Sequence, residues 1–423
     1  MNKDANLQKK VTAIAIGAGD RANVYGDYAI SYPDQLQLIG VAEPNKVRNE
    51  RFAFKHKINA NNRFKSWESV FERPKFADAV IIATPDVLHF EPCMAAMAMG
   101  YDVLVEKPIS PSEEECRKIL ELAEEKKCIV GVCHVLRYAP YFQELKNIID
   151  SKLIGELISI QHMESIEHAH MAHSYVRGNW HNSKTSSPII LGKSCHDLDI
   201  LRWLVGNQCT EVAAFGNRKW FRKENAPVGS TDRCTDGCPV EAECPYSALK
   251  IYQRDKKHNY VFDFPEDPSK KDEYLIDQLK TTNYGRCVYK MDNDQPDHYV
   301  ATLKFKNEVT AAFSMEAFTS YHGRQTRLMG TMGDVVGNME TFEHTDFRTG
   351  KKTKWKQNDN EFDYHDHGHG GGDWRLVQDW VKAVSKKDAS LLTSTIKASI
   401  ESHIIGFKME KSRLEGKIEK VDM

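Results

Sequence analysis

No stretch of this 423-residue chain approaches the roughly 20 consecutive apolar residues needed to cross a bilayer, so no membrane-spanning helix is expected. The opening segment, Met1 to Lys10, lacks the apolar core of a secretory signal, which makes the cytoplasm the expected compartment. An excess of charge is missing too: 58 Lys and Arg stand against 60 Asp and Glu, a formal net charge of −2. That balance gives no electrostatic footprint for nucleic acid or an anionic membrane surface, and neither partner is expected. Internal repeats and low-complexity tracts are also absent. What is abundant is ordinary for a globular chain, with 41% hydrophobic and 28% charged residues and length enough for two domains with sizeable cores. Cysteine is not scarce, but with no export signal the ten cysteines read as thiols or metal ligands rather than a disulfide framework.

The informative stretch is Val11-Thr-Ala-Ile-Ala-Ile16 running into Gly17-Ala-Gly-Asp-Arg-Ala22. Five of the six strand residues are apolar, which suits a strand buried on both faces of a parallel sheet. The turn fits G-x-G-x-x-A, in which Gly17 permits a tight turn, Gly19 admits a pyrophosphate and Ala22 lets the next helix pack closely. A helix N-terminus there offers unpaired N–H groups and a positive dipole end. Such a turn calls for a second strand ending in an acid, and Leu36–Ala42 followed by Glu43 supplies both. A carboxylate there accepts ribose hydroxyls and repels a 2′-phosphate, favouring NAD over NADP, while nearby Lys46 and Arg48 weaken that preference. Further strands are expected at 79–83, 101–105 and 128–132, alternating with helical patterns such as Glu113 to Lys126. This alternation predicts a doubly wound parallel sheet.

Four features together resemble the Gfo/Idh/MocA family, named for glucose–fructose oxidoreductase, inositol dehydrogenase and a rhizopine catabolism protein. They are Gly17–Ala22, Ala83-Thr84-Pro85 with His89, Glu106-Lys107-Pro108, and Cys195-His196-Asp-Leu-Asp199 running into Leu201-Arg-Trp203; a late Gly368-His369-Gly-Gly-Gly-Asp373 extends the resemblance along nearly the whole chain. The resemblance implies an α/β protein with two domains. A Rossmann dinucleotide-binding domain would occupy 1–135, and an α+β substrate-binding and oligomerisation domain with a large, mostly antiparallel open sheet would occupy 136–423. It also implies a homodimer or homotetramer acting with NAD or NADP on a sugar, inositol or related polyol. Cofactor contacts are expected at Gly17, Gly19, Asp20, Arg21, Ala22, Glu43, Thr84, Pro85, His89, Glu106 and Lys107.

Hydride transfer from a carbinol needs a base for the hydroxyl proton near the nicotinamide. Lys107 leaves the carboxyl end of a sheet strand, where ligands bind in open α/β folds. His196 matches the family histidine that shares proton transfer with a lysine, and Asp199, three residues on, would share its helix face, placed to bind a hydroxyl or orient the imidazole. The segment departs from the family's common Asp-x-Gly-x-His, having Gly192-Lys193-Ser194-Cys195-His196; Lys193 is therefore a further candidate for catalysis or substrate binding. Arg137, at the domain junction, is a candidate substrate contact, and so are Tyr175, Arg177 and Trp180, an aromatic–Arg loop suited to stacking on a sugar face and clamping an anion. His369, before a triple glycine, is another candidate for the site.

A long insertion is expected at about 210–298. Within it Cys234, Cys238 and Cys244, with Cys287 as a fourth, are spaced so that a structural zinc site, free thiols and a disulfide are all open readings. The leading functional expectation is a dehydrogenase of sugar or inositol hydroxyls. A redox glycosidase that oxidises the sugar transiently, and a non-enzymatic NAD or sugar sensor, are the alternatives; retention of both Lys107 and His196 argues against the sensor.

Overall fold

The structure, a computed structural model, describes residues 9–357 and 369–422. Met1 to Gln8 and Gly368 of the sequence reading lie outside them.

The first sheet has six strands: β1 (Val11–Ile16), β2 (Leu36–Ala42), β3 (Arg63–Phe64), β4 (Ala79–Ile82), β5 (Asp102–Val105) and β6 (Val130–Val132). All pairings are parallel, in the order β3-β2-β1-β4-β5-β6. The expected strands are present with slightly shorter ends. β3 was not anticipated, because two half-exposed residues at a sheet edge carry no period-two signal. The chain order reverses between β1 and β4, and helix α1 (Asp20–Ser31) leaves β1 while α2 (Lys46–Lys55) leaves β2. Both helix N-termini therefore flank the crevice at the carboxyl ends of the strands, where such sheets bind ligands.

The second sheet has nine strands: β7 (Leu157–Ser165), β8 (Cys209–Asn217), β9 (His298–Phe305), β10 (Thr310–Glu316), β11 (Gly323–Gly330), β12 (Gly333–Gly337), β13 (Thr341–Asp346), β14 (Lys352–Lys356) and β15 (Glu419–Lys420). Their order is β14-β13-β12-β11-β7-β10-β9-β8-β15, antiparallel except for the parallel β7–β10 pair. β9 alternates buried and exposed residues along its length, the pattern of a sheet covered on one face only. On the covered face lie helices α3 (Cys195–Val205) and α5 (Ile396–Glu415).

Two features cut across the expected division of the chain. Helix α4 (Gly372–Lys386) returns to the first sheet, where Trp374 and Trp380 are buried in its core and the Trp380 indole donates to the Val103 carbonyl at 3.0 Å. Residues 210–217 of the expected insertion belong instead to strand β8, in register with β9, so the inserted chain proper is 218–297.

Candidate functional site

The turn after β1 has the shape its glycines predict. Gly17 has φ +91°, and a Cβ there would stand 2.6 Å from the Ala83 carbonyl oxygen, inside any permissible contact. Gly19 is the N-cap of α1, and a Cβ built on it meets nothing within 4 Å. The space beside a helix N-terminus is thus left open for a ligand. Glu43, at the end of β2, accepts hydrogen bonds from the Ala18 and Asn45 N–H groups, both at 2.8 Å, and still has lone pairs to offer. These residues fit a dinucleotide. Further along the crevice, His89 is fully buried and joins the Thr84 carbonyl (2.9 Å) to the Pro108 carbonyl (2.8 Å), fixing two loops against each other.

Glu106 and Arg21 serve each other. The Glu106 carboxylate accepts from Arg21 Nε at 2.8 Å, from the Tyr25 hydroxyl and from the Lys107 N–H at 2.7 Å. Burial raises its pKa, but Arg21 and Lys107 outweigh that and keep it ionised. Arg21 also reaches Asp373 (2.5 Å), whose other oxygen lies 3.2 Å from His369 Nδ1. This relay from Glu106 to His369 pins the Lys107 backbone across the cis Lys107–Pro108 peptide. Lys107 Nζ donates to the Gly192 carbonyl at 3.0 Å and lies 5.9 Å from the Trp180 ring centroid. Trp180 is held in turn by an indole N–H shared between both Asp86 carboxylate oxygens at 3.0 Å.

His196 sits at the start of α3, 3% exposed, its ring 5.4 Å from that of His369. Neither of its nitrogens has a hydrogen-bond partner in the described structure. Burial, followed by the positive charge of Lys107, holds its pKa well below the ordinary histidine value, so the ring is neutral. A buried polar group without a partner is costly, and a substrate hydroxyl is a partner of the right kind.

Lys193 is fixed by Glu164 at 3.0 Å. Glu164 and Asp197 share Arg324, at 2.5 and 2.9 Å, and His162 closes on Asp197 at 2.9 Å. Burial lowers the Lys193 pKa, with Glu164 opposing. No sequence signal marks Glu164, Arg324, Asp86 or Asp373 as partners, because each meets its counterpart only through tertiary packing.

Three expected roles need correction. Asp199 does not orient His196: its oxygens accept from Arg137 at 2.5 and 2.6 Å, and His134 Nδ1 is 2.8 Å away. Arg137, 3% exposed and committed to that carboxylate, is correspondingly unavailable to a substrate. Arg177, 1% exposed, donates to the Arg286 and Tyr246 carbonyls at 2.7 Å and so ties the inserted chain down rather than clamping an anion. Tyr175 does lie beside Trp180, ring centroids 6.1 Å apart.

The zinc expectation is not supported. Among the described residues no group of three or more His, Cys, Asp or Glu is arranged to hold a metal ion. Cys234, Cys238, Cys244 and Cys287 line one small pocket, but the Arg177 guanidinium enters it and donates to Cys234 Sγ at 3.7 Å. Burial raises the thiol pKa of Cys244 and of Cys287, while at Cys238 burial is outweighed by hydrogen bonds from Thr231 and Val240, which lower it. Among the described residues, no helix is long and apolar enough to cross a membrane.

Comparison with known proteins agrees with this geometry. Residues 11–134 match the model for an oxidoreductase family with an NAD-binding Rossmann fold, and 146–404 match that family's C-terminal alpha/beta domain. YteT of Bacillus subtilis is 25% identical over 270 residues, 62% of this chain and 60% of that protein. The scyllo-inositol 2-dehydrogenase (NAD(+)) of the same organism is 28% identical over 210 residues, 50% of this chain and 58% of that one. The matches thus span less than two thirds of either relative. In fold, the chain is similar to an oxidoreductase from Agrobacterium radiobacter solved with NAD+, L-tartaric acid and magnesium: TM-score 0.70, 14% identity, 98% of this chain and 99% of that one. With both of its domains matched by the family's models, the chain belongs to the Gfo/Idh/MocA oxidoreductases.

Proposed function

We propose that this protein is an NAD-preferring oxidoreductase that interconverts a secondary hydroxyl and a ketone on a sugar, inositol or related polyol. The observation that carries the reading is His196: a buried, neutral imidazole whose two nitrogens have no hydrogen-bond partner among the described residues, beside Lys107 at the carboxyl edge of a dinucleotide-binding sheet. The nicotinamide, when bound, takes up or returns the hydride. In the oxidative direction His196 accepts the hydroxyl proton as the C–H bond breaks, and Lys107 hydrogen-bonds the same oxygen. His369, tied to Asp373, flanks His196, while Tyr175 and Trp180 offer apolar ring faces to the sugar. Lys193, positioned by Glu164, offers a second ammonium for a neighbouring hydroxyl. Asp199 and Arg137 act at a distance by fixing α3. Glu43 supports NAD over NADP, as does the engagement of Arg48 by Asp263 at 3.1 Å.

The uncovered face of the nine-stranded sheet supports self-association. It carries a depression of about 1080 Å³ and exposes Phe215 (65%), Val336 (51%) and Val300 (44%). An apolar surface on that scale marks a contact site, and we assign it to a second copy of this chain.

The test is a panel of sugars and inositols with NAD, following NADH. Lys107→Met and His196→Asn are each expected to lower kcat by about 10²- to 10⁴-fold while NADH still binds. Full activity in both variants would overturn the assignment, and cleavage of a nitrophenyl glycoside without net NADH would move the reading to a redox glycosidase.

A further inference from the structure

Residues 255–265 of the inserted chain cross from the second sheet's side of the molecule to the first. Their base is apolar: Phe262 is 7% exposed, with ring centroids 5.5 Å from Tyr252 and 5.4 Å from Tyr284, and Phe264 lies 5.7 Å from Tyr274. On one side His258 stacks on His173 of the π-helical segment Met171–Arg177, 4.5 Å between centroids and 11° between planes. On the other side the segment is fastened to α2 twice. Arg48 Nε donates to both Asp263 oxygens at 3.1 Å, and an Arg51 N–H donates to the Phe264 carbonyl at 3.0 Å. Between these anchors Tyr260 is 58% exposed, its ring centroid 5.7 Å from that of His173.

The placement of these contacts is what matters. Arg48 is in the first turn of α2, five residues past Glu43 at the ribose end of the crevice. A segment fastened there stands at the adenosine end of the dinucleotide groove. Lys256 and His258 also hold left-handed conformations, φ +52° and +57°.

From these contacts we infer that residues 255–265 form a strap at the adenosine end of the cofactor groove, and that the strap slows cofactor release. This rests on the dinucleotide reading of the groove. The latch is reversible by construction. Arg48 and Asp263 are about one third exposed (side chains 37% and 32%), and a surface ion pair of that kind is weak. It delays exchange without forbidding it.

The experiment is stopped-flow displacement of bound NADH by excess NAD+, read by energy transfer from tryptophan to the nicotinamide. Asp263→Ala and Arg51→Ala break the two fastenings separately, and each is expected to speed NADH release about two- to fivefold, the range a single exposed contact supplies. Release from both variants at the full chain's unaltered rate overturns the strap and leaves the cofactor reading standing. Absence of any NADH signal in the unaltered protein overturns the cofactor reading and the strap with it.

Discussion

His403 shows how one residue can be committed by its surroundings. Its Nδ1 lies 2.8 Å from the Ser399 carbonyl and its Nε2 3.0 Å from the Ile109 N–H, so the first nitrogen donates and the second accepts, which only the neutral ring can do. Burial lowers its pKa to about 3, and burial likewise takes His173 to about 3. The unfolded chain titrates near 6.5, so between pH 6.5 and pH 3 it binds protons that the folded chain refuses. Stability is constant on this account above pH 6.5 and falls as pH drops below it, with a slope of up to about 1.4 kcal/mol per pH unit for each histidine. Urea unfolding at pH 7.5, 6 and 5 is the check; a midpoint that does not move between pH 7.5 and 5 contradicts the assignment. The residue scale also shows where motif reading stops. Lys107 and His196 were recognisable from their neighbours in sequence, whereas Asp199 looked equally eligible and is turned to Arg137 instead. Three residues along α3 separate His196 from Asp199, and only packing decides which partner each one meets.

At the scale of elements, the β1–α1 unit was legible because its signals are local. An apolar run, two glycines and an alanine specify strand, turn and helix with no distant partner. Gly17→Ala puts a Cβ against the Ala83 carbonyl at 2.6 Å in a backbone conformation hostile to L side chains. It is expected to weaken NADH binding at least tenfold by fluorescence titration. An unchanged affinity would show that the turn does not shape the groove. Other elements resisted reading for the opposite reason. Helix α4 is strongly amphipathic in sequence, but nothing in it says that its apolar face returns to the first sheet. The inserted chain carries four cysteines whose spacing suggested a metal, yet Arg177 from a different segment occupies their pocket.

The whole molecule is built on two sheets, and the inserted chain is fastened to α2 beside the first of them. Its unpaired sheet face is the clearest surface consequence. Phe215→Glu places a charge in the middle of the proposed contact, and a shift of sedimentation mass from oligomer to monomer is expected; a monomeric unaltered protein would remove the contact altogether. What the sequence determined alone was whatever depends on short-range chemistry: the parallel sheet, the glycine turn, the acid after β2, and the Glu106-Lys107-Pro108 and His196 motifs that carry the family. What the tertiary structure decided was pairing among charges far apart in the chain, such as Lys193 with Glu164, Arg21 with Asp373 and Arg48 with Asp263. A charged side chain declares its sign in the sequence, but its partner is selected by which elements fold beside it.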